Sequence, residues 1–134
     1  MQRRALARGA LALFYGVAGV VHLAMPAPFL KIMPGFVPAP ERVVQLTGVA
    51  ELAGAAALLQ GSSPALRRAG GWGLAAYALC VWPANINHMA MDLTRPGGAG
   101  FSLFYHIPRM MAQPVLIWAA LWAGGVTNWP WRRR

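Results

Sequence analysis

Glu41 to Gln60 read ERVVQLTGVAELAGAAALLQ, an apolar stretch as long as a membrane span with one carboxylate, Glu51, near its middle. A charged side chain in hydrocarbon is costly, so such a residue usually faces a bundle interior and has a partner. Arg109, which lies inside another apolar stretch, is the candidate partner. The stretch therefore predicts a small membrane protein in which Glu51 and Arg109 form a buried ion pair.

The composition of the 134-residue chain is that of a membrane protein. Hydrophobic residues make up 57% of it and charged residues only 11%, whereas soluble domains carry about 25% charged residues. The length suits about one domain. The single cysteine, Cys80, excludes an internal disulfide or a CxxC redox pair, and we expect it to pack within a helix.

The net charge of +9 does not indicate a nucleic-acid-binding protein, because the arginines flank the apolar stretches instead of forming one face. Membrane proteins place basic residues at cytoplasmic edges in this way. In a four-span topology eight basic residues fall on one side, which predicts cytoplasmic termini and a multi-pass location in the inner (plasma) membrane. These residues are Arg3, Arg4, Arg8, Arg67, Arg68, Arg132, Arg133 and Arg134.

The apolar stretches predict an all-α fold, a transmembrane four-helix bundle with both termini in the cytoplasm. Each stretch approaches the roughly 20 residues needed to cross a bilayer core. Proline inside a membrane helix is tolerated where neighbours satisfy the freed carbonyls. The predicted spans of this single integral membrane domain, residues 1–134, are about residues 7–25, 42–60, 66–91 and 102–126.

Two outer loops join the predicted spans. Pro26–Pro40 is apolar, so we expect it to lie in the membrane interface or to cap the bundle. Four further prolines follow Pro26 in this segment and argue against one long helix. Asp92–Gly100 is rich in glycine, and we expect a mobile loop there.

The strongly polar side chains within the predicted spans fall in the outer half of the bundle, away from the arginine-rich side. Glu51 lies roughly 15 Å inside its span at the helical rise. His106, Arg109 and Gln113 are spaced i, i+3, i+7 and share one helix face. One cavity open toward the outside can hold all of the predicted ligand-binding residues. They are His22, Glu51, Asn85, His88, His106, Arg109 and Gln113.

Structural roles are alternatives for several of these residues. One alternative is that the pair of Glu51 and Arg109 only fixes the register of the bundle. Another is that Asn85 satisfies a carbonyl freed by Pro83. Imidazole is the commonest metal ligand, so haem or a metal stays an open alternative for the three histidines. The three histidines do not form an HxxxH or HxxH spacing, the pattern that would favour that alternative. We therefore predict no metal ligands.

An ordered set of short motifs resembles the DoxX family across most of the chain. The motifs are His22-Leu23 with Pro26 and Phe29, Thr47 to Gly54 (TGVAELAG), Trp82 to Asn85 (WPAN), Arg109 to Gln113 (RMMAQ) and Leu116 to Trp118 (LIW). The resemblance implies a bacterial or archaeal four-helix membrane protein with a link to electron transfer. Family members include a subunit of a thiosulfate:quinone oxidoreductase and a component of a membrane thiol-redox complex. The related vitamin K epoxide reductase bundle uses cysteine pairs, which this chain lacks.

The leading hypothesis is a membrane subunit of an oxidoreductase that binds a quinone or a similar small amphiphile in the outer polar pocket. If the chain is itself an enzyme, it is a quinone-linked oxidoreductase subunit. The alternatives are a non-enzymatic assembly partner and a small-anion permease. Four short spans without an internal repeat argue against a conventional transporter. The expected partners are the lipid bilayer, a redox partner protein and a second copy of the chain, docked through small-residue faces such as Gly16–Gly19.

Overall fold

The computed structural model of the protein describes residues 2–131, so Arg132, Arg133 and Arg134, predicted to lie on the basic side, fall outside the described residues. The described chain is all-α and contains no strand, which confirms the all-α part of the predicted fold class. It has five α-helices and a 3-10 turn at Pro96–Gly98. The helices are α1 (Gln2–Ala24), α2 (Ala27–Lys31), α3 (Pro40–Leu59), α4 (Pro64–Leu93) and α5 (Leu103–Gly124).

Proline and serine mark the helix starts. Pro40 and Pro64 occupy the first turns of α3 and α4, where a missing N–H removes no intrahelical hydrogen bond. The Ser63 hydroxyl accepts a hydrogen bond from the Leu66 N–H at 3.2 Å and so caps α4. The helix then continues through Pro83 to Leu93. Each long helix therefore overlaps one of the four predicted spans.

The four long helices form a closed ring of neighbours. α1 packs on α3 and α4 packs on α5, while contacts of α3 with α4 and of α1 with α5 complete the ring. Glycine permits the closest approaches: a Cβ at Gly19 would lie 2.7 Å from the Gly48 carbonyl oxygen, and one at Gly71 would lie 2.8 Å from the Ala120 carbonyl oxygen. Gly19 therefore packs against α3 inside the chain, and of the two glycines in the proposed dimer face Gly16 is the open one.

Polar and apolar residues separate along the bundle axis. The apolar core is at the end where α1 and α4 begin, and it consists of Leu11, Ala12, Tyr15, Ala55, Leu58, Leu74, Ala75, Ala120 and Ala123. Buried polar side chains occupy the opposite end; they are His22, Glu51, Asn85, Asp92, His106 and Gln113. We call that end the polar half, formed by residues 15–24, 40–51, 77–93 and 103–113. The arginine-rich end, residues 2–8, 60–68 and 122–131, is called the basic end.

Two of the described helices, α1 and α3, are both long and apolar enough to cross a membrane. α4 and α5 have 30 and 22 residues and so exceed the roughly 20 residues of a span, but they do not meet the hydropathy condition that α1 and α3 meet. The structure thus supplies two helices that meet both conditions, where the sequence predicts four spans.

The segment between α1 and α3 agrees with expectation, whereas the second outer loop does not. Residues 26–39 contain the short helix α2, which packs on α3, and α3 begins at Pro40. Asp92 was assigned to a mobile loop, but it lies in the last turn of α4 and is only 4% exposed. A Cβ added at Gly100 would collide with the Asp92 backbone. The glycine-rich segment therefore folds back and packs against the end of α4.

Replacing Gly19 with alanine tests the crossing of α1 and α3. The added methyl would lie 2.7 Å from the Gly48 carbonyl oxygen and 2.8 Å from the Leu52 Cγ. Because the first obstacle is backbone, the helices must separate, and we expect a loss of about 1–3 kcal/mol. The loss is measured as a lower melting temperature in detergent.

The matched control is Gly16→Ala, because a Cβ at Gly16 meets nothing within 4 Å. Alanine favours a helix over glycine by up to about 1 kcal/mol, so this variant should melt at or above the wild-type temperature. Equal melting temperatures for the two variants would contradict the crossing at Gly19.

Candidate functional site

A cavity of about 560 Å³ lies in the polar half between the long helices. Five of the seven residues predicted from the sequence line it: His22, Glu51, Asn85, Arg109 and Gln113. The segment between α1 and α3 covers one side with Phe29, Ile32, Met33, Pro34, Phe36 and Val37. The remaining walls are mostly apolar, so the cavity combines a few polar groups with an apolar lining, as small-molecule sites do.

Glu51 is paired with His22 in the structure, and not with Arg109. The Nδ1 atom of His22 lies 2.8 Å from Oε2 of Glu51, and Glu51 is only 2% exposed. The same nitrogen lies 2.9 Å from the Ala18 carbonyl oxygen, which can only accept, so Nδ1 carries a proton. The N–H is directed at that carbonyl, which leaves Oε2 close to the ring without a well-directed hydrogen bond. The predicted ion pair between Glu51 and Arg109 is therefore wrong.

Two tyrosines complete the surroundings of the Glu51 carboxylate. Tyr77 of α4 interacts with it through its hydroxyl, and Tyr15 of α1 lies beside it, only 1% exposed. The sequence alone predicted no role for either tyrosine. The spacing Tyr15 to His22, two turns on one face, was the available signal. Tyr77 gave no comparable signal, because only tertiary packing brings α4 against Glu51.

Three buried polar atoms that line this cavity have no hydrogen-bond partner in the described structure. They are the Tyr15 hydroxyl, Oε2 of Glu51 and Oε1 of Gln113. Gln113 is only 6% exposed. Leaving a buried polar group unpaired costs about 1–3 kcal/mol, so buried polar groups are normally paired. Three such atoms around one cavity are the arrangement expected where a bound molecule supplies the missing partners.

The covering segment is attached to the bundle at two points. The His22 ring stacks on Phe29 of α2 with ring centroids 3.7 Å apart. The side-chain amide of Asn87, on α4, donates a hydrogen bond of 2.9 Å to the Ile32 carbonyl oxygen. The cover is therefore attached to α1 on one side and to α4 on the other, and one of the attachments is the same imidazole that contacts Glu51.

Arg109 links the cavity to a second group of polar side chains. Its Nη1 lies 2.7 Å from Nδ1 of His88 and donates to the Tyr105 hydroxyl at 3.2 Å. Because a guanidinium only donates, Nδ1 of His88 must accept, which leaves the His88 proton on Nε2. That nitrogen lies 3.1 Å from Oδ2 of Asp92. His88 is thus held as a neutral imidazole between a guanidinium and a carboxylate.

Asp92 is the centre of the second group, which also contains the two predicted residues absent from the cavity lining, His88 and His106. The Nε2 of His106 lies 3.2 Å from Oδ2 of Asp92, and Nη2 of Arg95 lies 3.3 Å from Oδ1. His106 is fully buried, and its Nδ1 has no partner in the described structure. The seven predicted residues therefore occupy two adjoining sites instead of one cavity.

The electrostatic environment of Asp92 favours its charged form. Burial by itself raises the pKa of Asp92. The hydrogen bond from the Phe101 backbone, the hydrogen bond from His106 and the nearby His88 and Arg95 outweigh that effect, so the pKa of Asp92 lies below its ordinary value. Its carboxylate is therefore the stable negative charge at this end of α4.

The histidines are bonded to carboxylates in a way that does not form a metal cluster. Within residues 2–131 no group of three or more His, Cys, Asp or Glu side chains is arranged to hold a metal ion. His22 contacts Glu51, whereas His88 and His106 both direct Nε2 at the same oxygen of Asp92. Cys80 is exposed on α4 and lines the first cavity, instead of packing inside the bundle as expected.

The fold and the cavity define a small all-α protein with a ligand-sized space between its helices. The chain belongs to the family of the domain of unknown function DUF8561, which matches residues 11–124. That range contains all seven predicted site residues, as well as Tyr15, Tyr77 and Asp92. No curated protein and no solved structure matches the chain.

Asp92 generates a prediction about acid stability. A carboxylate whose pKa is lowered by folding stabilises the protein above its unfolded pKa, and this contribution is lost as the pH falls through the folded pKa. We expect the wild-type melting temperature to decrease below about pH 4, near the unfolded value of aspartate. Asp92→Asn should make that decrease smaller. Melting curves in detergent between pH 3 and 7, a range set by the same unfolded value, measure the effect.

The control is Glu41→Gln, which removes an exposed carboxylate from the first turn of α3. This variant should keep the wild-type dependence on pH. An Asp92→Asn protein with the same acid sensitivity as the wild type would contradict the role given to Asp92.

Proposed function

We propose that the protein is a four-span inner-membrane protein with both termini in the cytoplasm, and that it binds a quinone or a similar amphiphile in the cavity of the polar half. The single observation that carries the binding proposal is the set of three unpartnered, buried polar atoms around that cavity. The membrane proposal is carried by the outer surface of the bundle.

Large apolar side chains are exposed on all four long helices, including α4 and α5. Phe104 of α5, at 93%, is the most exposed of them. The others include Leu13, Val17 and Val20 on α1, Leu46 and Val49 on α3, Trp72, Leu79 and Ile86 on α4, and Ile107, Met111 and Val115 on α5. Soluble monomers rarely expose such extended apolar surfaces. Lipid contact would cover these side chains on α4 and α5 as well as on α1 and α3.

The chemistry of the cavity suits a quinone headgroup at its polar end. The Tyr15 hydroxyl can donate to a quinone carbonyl oxygen, and Oε1 of Gln113 can accept from a quinol hydroxyl. Glu51, next to His22 and Tyr77, can take or give the proton that accompanies quinone reduction. The apolar lining reaches the outside of the bundle at Phe14 and Cys80, both exposed, where an isoprenoid tail could pass into the bilayer.

The proposed link to an oxidoreductase rests on the resemblance to the DoxX family and on this headgroup chemistry. In that role the chain would present the quinone to a redox partner protein. The assembly-partner alternative does not account for the three unpartnered atoms. A small-anion permease is disfavoured because Arg109 already bonds His88 and Tyr105.

Binding is tested with short-chain benzoquinones and naphthoquinones in a thermal-shift titration of the detergent-purified protein. A ligand that binds only the folded state raises the melting temperature with concentration. We expect Tyr15→Phe to weaken binding about tenfold, or about 1.4 kcal/mol. The ligand-free variant should be at least as stable as the wild type, because it loses a buried hydroxyl without a partner.

The control is Tyr105→Phe, the same chemical change at a tyrosine that does not line the cavity. It should keep the wild-type affinity for quinone. A Tyr15→Phe protein that is less stable without ligand and binds quinone normally would contradict the proposal. Absence of any shift in the wild type would do so directly.

Topology is tested by cysteine labelling in a Cys80→Ala background. Ser62, in the exposed turn before α4, and Ala99, in the exposed turn after it, lie at opposite ends of α4. We expect a membrane-impermeant maleimide added to intact cells to label Ala99→Cys and not Ser62→Cys. Labelling after lysis is the positive control for both. External labelling of Ser62→Cys would reverse the orientation, and external labelling of both sites would remove α4 as a span.

A further inference from the structure

A second cavity, of about 680 Å³, lies at the basic end, where α1 and α4 begin and α5 ends. Five of the residues lining it are arginines, which come from two different helices: Arg3, Arg4, Arg8, Arg67 and Arg68. This end is far from the quinone cavity, and the proposed function makes no use of it. Basic residues at a cytoplasmic edge are common, but here they surround a cavity between helices.

Among residues 2–131, no acidic side chain lines this cavity. The chain has three acidic residues, Glu41, Glu51 and Asp92, and none of them lines it. Arg67 donates to the carbonyl oxygens of Gln60 and Gly61 at 3.1 and 3.2 Å. The amino ends of α1 and α4 point their partial positive charges toward the same end.

Arg4 and two indoles make the cavity a structured site. Arg4 donates to the Thr127 carbonyl oxygen and to Oδ1 of Asn128, and its guanidinium lies 5.2 Å from the ring centroid of Trp122. The rings of Trp122 and Trp131 have centroids 5.1 Å apart, and both residues line the cavity. Indoles favour the level of lipid headgroups, where one edge meets apolar chains and the other meets water.

We propose that this cavity binds the phosphate-bearing headgroup of an anionic phospholipid from the cytoplasmic leaflet. Guanidinium groups bind phosphate through paired charge-assisted hydrogen bonds, and basic pockets between membrane helices on this side bind acidic headgroups. Free phosphate offers the same chemistry. The lipid is favoured because the indoles provide an apolar wall beside the arginines. The inference requires the chain to lie in a membrane, but it does not depend on quinone binding.

The test compares phosphatidylglycerol, phosphatidylcholine and inorganic phosphate in thermal-shift titrations of the detergent-purified full chain, with native mass spectrometry of the bound lipid. We expect phosphatidylglycerol to raise the melting temperature by about 5 °C and to be retained in the mass spectrum. Phosphatidylcholine should do neither. The double variant Arg8→Gln with Arg68→Gln should lose both effects.

The matched control is Lys31→Gln with Arg42→Gln, which removes two exposed positive charges at the other end of the bundle. It should respond to phosphatidylglycerol as the wild type does. If the control variant lost the response to phosphatidylglycerol equally, the response would depend on net charge alone, and the proposed site would be overturned. Equal stabilisation by inorganic phosphate would overturn the lipid assignment. No difference between phosphatidylglycerol and phosphatidylcholine in the wild type would overturn both, whatever the quinone titration gives.

Discussion

The burial of the Glu51 carboxylate in the middle of α3 is the constraint on which the polar half depends. A nearly inaccessible carboxylate needs polar neighbours within direct reach. On α3 itself the polar residue one turn away is Thr47, whose hydroxyl already donates to the Val44 carbonyl oxygen. The neighbours come from α1 as His22 and from α4 as Tyr77. His22 reaches Glu51 because α1 and α3 cross closely, since a Cβ at Gly48 would lie only 3.0 Å from the His22 Cβ. The glycines that permit this close crossing therefore also bring His22 to the carboxylate.

The second polar group likewise forms around a single buried carboxylate. The chain has only three acidic residues, and the two buried ones each organise one site. Glu51 faces the cavity, while Asp92 gathers His88, His106 and Arg95 at the end of α4. Arg109 joins the two sites because it lines the cavity and bonds His88. The basic end contains neither carboxylate, so the charge of the molecule is separated along the bundle axis.

The sequence was sufficient to predict the long helices and to predict which residues share a helix face, because hydrophobic length and helical period are local properties. It was not sufficient for partners across helices. Glu51 was assigned to Arg109 because both are charged and buried, yet the contact is decided by how α1 crosses α3. Asp92 was missed as a site residue because the glycine-rich sequence after it predicts a loop. Only the structure shows that this loop folds back and buries the carboxylate. The importance of the Tyr15 hydroxyl rests on its lack of a partner, which no sequence pattern reports.

The stacking of His22 on Phe29 has a consequence for access to the cavity. Phe29 belongs to the segment that covers the cavity, and His22 touches both that segment and Glu51. A molecule that displaces the cover must therefore disturb the ring that accompanies the carboxylate. Displacement of the cover and the contact of His22 with Glu51 are therefore linked through one imidazole.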